Sequence, residues 1–209
     1  SPLDPEARTR LIDQMTAQGR VDEASANYLE LADVYYRLAQ LDEAREAYEK
    51  VLRLAESTEH DASWHAQILH SIADIDLQKL DWQEALRAYE QVRSLVPNDE
   101  AARMRLVQLN LRLGHDAKAK AELDNYLSHL ASRSQDSQVE AFLNKLIEET
   151  PDYVLAHRRL AEHYQQAGKH KEAIARWNKV GEQLVASGDR EGAKVAVRET
   201  ATQAAAAEG

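Results

Sequence analysis

The sequence predicts an all-α fold, and three observations predict it. Ala, Leu, Glu, Gln and Arg dominate, and these side chains lose little on entering a helix. Seven Gly and four Pro in 209 residues are too few turn formers for a sandwich or barrel. Small residues and large aromatics recur at helical spacing along most of the chain.

The elements follow from that spacing. Glu43-Ala44 precedes Tyr48, Glu84-Ala85 precedes Tyr89, and Glu172-Ala173 precedes Trp177. In each case the small residue stands one helical turn before the aromatic, on the same face. Twelve residues before each Ala lies another small one, Ala32, Ala73 or Ala161, and Val107 lies twelve before Ala119. The units step by 34 residues from Ala85 to Ala119 and from Val139 to Ala173. Ala44 to Ala85 is 41 residues, which places an insertion of about seven near Glu56–Asp61. A step of 20 separates Ala119 from Val139. The same step recurs at the ends, where Gly19 and Ala24 precede Ala44, and Gly188 and Ala193 follow Ala173. Some helices at those steps read as either member of a pair, and the whole alternating array holds about eleven helices.

Residues 1–131 read as an N-terminal array, 132–137 as an irregular joint, and 138–209 as a C-terminal array with a capping helix. The joint is the polar run Ser-Arg-Ser-Gln-Asp-Ser. The Gly188–Gly209 tail reads as a solvating cap, and its last nine residues lack apolar anchors and are expected to fray.

This pattern resembles the tetratricopeptide repeat, a 34-residue unit of two antiparallel helices. Ser25–Thr58 carries Tyr28, Leu31, Ala32, Tyr35, Leu41, Ala44, Tyr48 and Leu52. Ala66–Asp99 carries Leu69, Ile72, Ala73, Trp82, Ala85, Tyr89 and Pro97. Glu100–Arg133 is a weaker unit with Leu106, Gly114, Ala119 and Tyr126. Val154–Ser187 carries Leu160, Ala161, Tyr164, Gly168, Ala173 and Trp177. The resemblance implies a right-handed superhelical solenoid whose concave face is lined by the first helix of each pair. It also implies a non-catalytic module that binds a peptide or helix of a partner protein. A self-associating scaffold, with weak self-association, and an accessory domain of a larger protein are the alternatives.

Counting from each repeat start gives the groove positions. They are Glu30, Asp33, Tyr36 and Arg37, then His70, Ser71, Asp74 and Gln78. The third unit gives Met104, Arg105, Gln108 and Arg112, and the fourth Arg158, Arg159, Glu162 and Gln165. Asp33 and Asp74 suit a partner's Lys or Arg, whereas the Arg residues suit Asp, Glu or phosphate. Some relatives in the family hold a C-terminal carboxylate with Lys and Asn one turn apart. Leu29 with Asp33, and His70 with Asp74, occupy those places here, and Asp repels a carboxylate. Tyr35 fills the packing slot and leaves Tyr36 turned to the groove as a hot spot. Tyr48, Tyr89, Trp177 and Trp82 read as core, while Trp64 reads equally as a cap or as exposed.

Charge narrows the partners. The chain carries 26 basic and 36 acidic residues, a net of −10, which disfavours nucleic acid. Residues 1–104 hold 11 basic against 21 acidic side chains, and residues 105–209 hold 15 of each. That asymmetry suits a partner with a basic and an acidic stretch, steered into one orientation. No apolar run is long enough for membrane insertion. With no cysteine the chain tolerates either redox state, and the cytoplasm is the favoured compartment. The first residue is Ser, which fits a piece excised from a longer protein.

Chemistry finds little support. His60, His65 and His70 are spaced by five, which spreads them around a helix. Only Asp61 with His65, and His70 with Asp74, converge, and two ligands are too few for zinc. His157 takes the place of a packing residue and reads as half-buried. Phosphate-binding glycine loops and strained nucleophile turns are missing from the sequence. No metal, cofactor or catalytic residue is expected.

Overall fold

A computed structural model describes residues 5–55 and 61–208. Among them stand eleven helices and no strand. They are α1 (Pro5–Ala17), α2 (Val21–Arg37), α3 (Leu41–Ala55), α4 (Ala62–Gln78), α5 (Trp82–Leu95) and α6 (Glu100–Arg112). Then follow α7 (Asp116–Ser132), α8 (Asp136–Glu149), α9 (Val154–Gln166), α10 (His170–Ala186) and α11 (Arg190–Glu208). The expected insertion near Glu56–Asp61 lies outside the described residues except for Asp61. The chain divides into two compact units, residues 1–119 and 120–209.

The helices stop at a repeated device. Among the described residues seven have positive φ: Gly19, Ala39, Leu80, Gly114, Ser134, Gly168 and Gly188. Their spacing reproduces the steps of 20, 34 and 41 residues seen in the sequence. At each stop the next amide turns back onto the helix just ended. Gln40 N bonds Tyr35 O at 2.9 Å, Asp81 N bonds Asp76 O at 2.8 Å, and Asp189 N bonds Leu184 O at 2.9 Å. This closure satisfies carbonyls that the helix end would otherwise leave bare. Gly adopts the conformation without cost, whereas a side chain there costs about 1 kcal/mol. Ala39 (φ 57°) and Leu80 (φ 62°) bear that cost. Helix starts are marked by Asp61, whose side chain accepts Trp64 N at 2.7 Å, and Asp99, which accepts Ala102 N at 2.8 Å.

In the first unit α2 packs against both α1 and α3, so it belongs to two pairs as its spacing requires. Helix α4 packs on α3 and α5, and α6 on α5. Ala24, Ala32, Ala44, Ala73 and Ala85 are fully buried, and their small size lets neighbouring backbones approach closely. Ile12, Tyr28, Leu31, Tyr48, Val51, Ile68 and Ile72 fill the space around them. Trp64 packs half-buried against this cluster, edge-on to His65.

In the second unit α9 packs on α8 and α10, and α10 packs on both α9 and α11. Phe142 meets Tyr126 edge-on at 4.8 Å. Leu160, Ala161, Ala173, Trp177 and Val180 are buried between α9 and α10. The tail does not fray as expected. Helix α11 continues to Glu208. Ala is the strongest helix former, and buried Gln203 is tied to His170 Nδ1 at 2.8 Å. Nor is the end an all-polar cap, since Val195 and Val197 of α11 present apolar side chains to solvent.

Candidate functional site

The first unit brings eight of the ten expected contact residues onto α2, α4 and α6. Asp33 is exposed on α2, where its Oδ1 accepts the Tyr48 hydroxyl at 2.7 Å. Asp74 is exposed on α4, where its Oδ1 accepts the Tyr89 hydroxyl at 3.2 Å. Asp13 on α1 accepts the Tyr28 hydroxyl at 2.7 Å. In all three pairs the carboxylate stands six residues before the left-handed turn residue and the tyrosine nine after it. The sequence contained this spacing of 15, but the tyrosines read there only as core. A buried ring thus holds an exposed carboxylate by one oxygen and leaves the other oxygen to solvent.

Burial, and then the carboxylate beside it, pushes the Tyr48 hydroxyl up to about 12. The same causes push Tyr28 and Tyr89 upward. All three therefore stay protonated and remain donors at neutral pH.

Adjacent helices are joined across the surface. Tyr36 is 39% exposed, and its hydroxyl accepts from Gln78 of α4. Arg37 Nε donates to the Asp33 carbonyl at 3.2 Å. His70 Nε2 lies 2.7 Å from Asp99 Oδ2, the cap of α6, and its ring is edge-on to Tyr89. The expected partner of His70 was Asp74; the tyrosine holds that carboxylate instead. Arg105 is exposed on α6, close to Tyr89, and donates to Gln108 Oε1 at 2.9 Å. Arg112 lies over the Trp82 ring, 3.8 Å from its centroid, in a cation–π contact. Trp82 is accordingly half-buried rather than core. Met104 corrects the expectation for its position, because its side chain is buried and faces no groove. Glu30 is paired with Arg8.

Behind this surface lies an ion pair the sequence did not announce. Arg45 of α3 donates through Nε to buried Asp76 of α4 at 2.7 Å. Burial pushes the Asp76 carboxyl up, against the pull of Arg45.

In the second unit Arg158 is half-buried on α9, and its Nε has no partner among the described residues. Arg159 is committed: Nε reaches Asp124 at 2.8 Å, and Nη1 reaches Glu162 at 2.7 Å. Glu162 is thereby occupied by its neighbour one turn away. His157 is fully buried, and Nε2 lies 2.9 Å from the Pro151 carbonyl. Trp177 is buried too, and its indole N–H has no acceptor among the described residues. His60 falls outside the described residues, and His65 turns back to the Asp61 carbonyl at 3.0 Å. Among the described residues no three His, Asp or Glu stand together as metal ligands, and no helix is long and apolar enough to cross a membrane.

Two tetratricopeptide repeat profiles match the sequence, one over residues 22–98 and one over residues 77–146. Jointly they run over more than half of the chain. None of the curated proteins matches it by sequence. The crystal structure of BtubC from P. vanneervenii aligns with TM-score 0.50 at 16% identity, over 98% of this chain and 91% of that one. A tetratricopeptide repeat protein from Parabacteroides merdae aligns with TM-score 0.42 at 18% identity, over 95% of this chain and 93% of that one. At such identity the BtubC likeness speaks for the fold, and it agrees with the helix pairs and turn spacing above. The chain belongs to the tetratricopeptide repeat family.

Proposed function

We propose that the first unit binds a peptide segment of a partner protein on the face formed by α2, α4 and α6, and that cationic side chains of that segment seat on Asp33 and Asp74. The repeat fold supports a protein–protein interaction module in general, of a kind that is typically non-catalytic. One observation supports the finer reading. Asp33 and Asp74 are each fixed by a tyrosine hydroxyl through a single oxygen, so each offers an oriented, charged acceptor to solvent. A carboxylate already held in place loses less side-chain freedom on binding. Tyr36 offers a partly exposed aromatic on α2, bonded to Gln78 of α4, and Arg105 with Gln108 extends the face toward an acidic residue. On the second unit half-buried Arg158, whose Nε is itself buried, would meet a carboxylate of the partner through its terminal nitrogens.

The test is the double variant Asp33→Asn/Asp74→Asn. Asn keeps an acceptor for the tyrosine and removes the charge. Immobilised peptide libraries are probed with the parent and with the variant. Lys- and Arg-containing peptides retained by the parent and lost by the variant support the reading. An unchanged set of retained peptides refutes it. Arg105→Gln serves as the second arm, with selective loss of acidic peptides expected.

A further inference from the structure

The last helix pair leaves exposed a position that the six earlier left-handed turns bury, whether with a ring or, nine residues after Gly114 and Ser134, with Leu123 and Leu143. In α1–α2, α2–α3 and α4–α5 a tyrosine stands nine residues after the left-handed turn residue; after Gly168 it is Trp177. All four rings are buried. Nine residues after Gly188 stands Val197, which is 67% exposed. The surrounding positions keep their character. Aligned on the turn residues Ala39 and Gly188, Ala32 falls on Gly181, Asp33 on Glu182, Tyr36 on Val185 and Ala44 on Ala193. An open cleft of about 400 Å³ lies there, lined by Trp177, Gly181, Glu182, Val185, Ala193 and Val197. Val185 is 66% exposed, so two large aliphatic side chains border the opening. Three tyrosines in the same chain show what this kind of seat holds: a phenol ring between the helices, with its hydroxyl on the carboxylate six residues before the turn.

We propose that the cleft between α10 and α11 receives an aromatic side chain, tyrosine foremost, from a partner protein. The ring covers Gly181, Ala193 and Val197, and the hydroxyl donates to Glu182. Apolar surface now facing water would be covered, and the Glu182 carboxylate, whose Oε2 lies 3.4 Å from Lys179 Nζ, would accept the hydroxyl on its other oxygen. The proposal stands on the second unit alone and does not depend on the basic-peptide reading of the first.

The probe is p-cresol, the tyrosine side chain as a free molecule. It is titrated into the full chain labelled with ¹⁵N, and amide shifts are followed. Saturable shifts at Gly181, Glu182 and Val197, with millimolar affinity, are expected. Val197→Tyr supplies the missing ring from within. It should abolish those shifts and raise the melting temperature by about 3 °C. Val197→Ala, which leaves the cleft open, should still bind and guards against a variant that fails to fold. No saturable shift in the parent, shifts that persist in Val197→Tyr, or a melting temperature that does not rise would each overturn the proposal. A molecular mass that climbs with concentration in the parent and not in Val197→Tyr would assign the cleft to a second copy, and would overturn it as a seat for a foreign partner.

Discussion

The α2–α3 pair and the α10–α11 pair are built on one plan and part at the side chain nine residues after the turn. Both end their first helix at a left-handed residue, and both carry small residues seven before it and five after it, Ala32 and Ala44 in one and Gly181 and Ala193 in the other. Tyr48 closes the first pair and ties down Asp33, whereas Val197 leaves the second open beside Glu182. The backbone plan therefore does not require the ring. A ring is one way to close the seam between two helices, since Leu123 and Leu143 are buried at the same place after Gly114 and Ser134, whereas exposed Val197 leaves its seam as available surface.

Tyr89→Val breaks that contrast most strongly, because it gives α4–α5 the side chain of α10–α11. Tyr89 is among the largest fully buried side chains in the chain. Removing most of its ring should cost about 3–4 kcal/mol of stability in chemical denaturation, through lost transfer energy and the cavity left behind. A loss below about 1 kcal/mol would show that the rings are ornaments of the pairs rather than their closure.

Next in size is Asp76→Ala. The first unit joins α3 to α4 through buried Asp76 and Arg45. The second joins α7 to α9 through Asp124 and Arg159, whose side chains are 33% and 27% exposed. Removing Asp76 leaves the Arg45 guanidinium half-buried with only Glu49 and Glu84 near it, at an expected cost of about 2–3 kcal/mol. Asp124→Asn should cost about 1 kcal/mol or less, since solvent screens that pair. Equal losses in the two units would remove the distinction between them.

How much of this was legible follows from the range of each signal. The eleven helices and their sharing of pairs were written in short spacings, small residue to aromatic and turn to turn, because stacking repeats imposes a period. The tyrosine–aspartate bonds obey a period as well, yet their meaning needs two helices to be laid side by side. Arg45 and Asp76 stand 31 residues apart, and in the same register the second unit pairs Glu140 with the Tyr164 hydroxyl instead, so no period announces an ion pair there. Met104 was misplaced because it stands ten residues before its turn residue, as Leu29 does in the first repeat, and Leu29 also packs against the core rather than facing a groove. The tail was misread because Ala shows no apolar stripe, although it needs none to stay helical beside α10.

Leu80→Gly carries a smaller effect of opposite sign. The turns at Gly168 and Gly188 use glycine where the turn at Leu80 places a branched, 65% exposed side chain at φ 62°. Relief of that strain should outweigh the added freedom of the unfolded chain and stabilise the protein by up to about 1 kcal/mol. A thermal melt of the variant checks it, and a lower midpoint would mean that the Leu80 side chain makes contacts worth more than its strain.

The finest distinction is one of pH, and it belongs to the second unit. His157 is buried on α9 with one ring nitrogen on the Pro151 carbonyl and the other unpaired among the described residues. Burial holds its folded-state proton affinity below the ordinary imidazole value. The unfolded chain therefore takes up the proton first as the medium is acidified. The stability this group contributes is whole above the ordinary imidazole value of about 6.5, and is lost as the pH falls from there toward the folded value. Amide exchange in α9 and α10 should accordingly speed up from pH 7 to pH 5, after correction for the intrinsic pH dependence of exchange. His157→Gln keeps a donor for Pro151 and has nothing to titrate, so the same amides should lose that part of the acceleration. An identical profile in parent and variant would place the acid sensitivity of the second unit on another group.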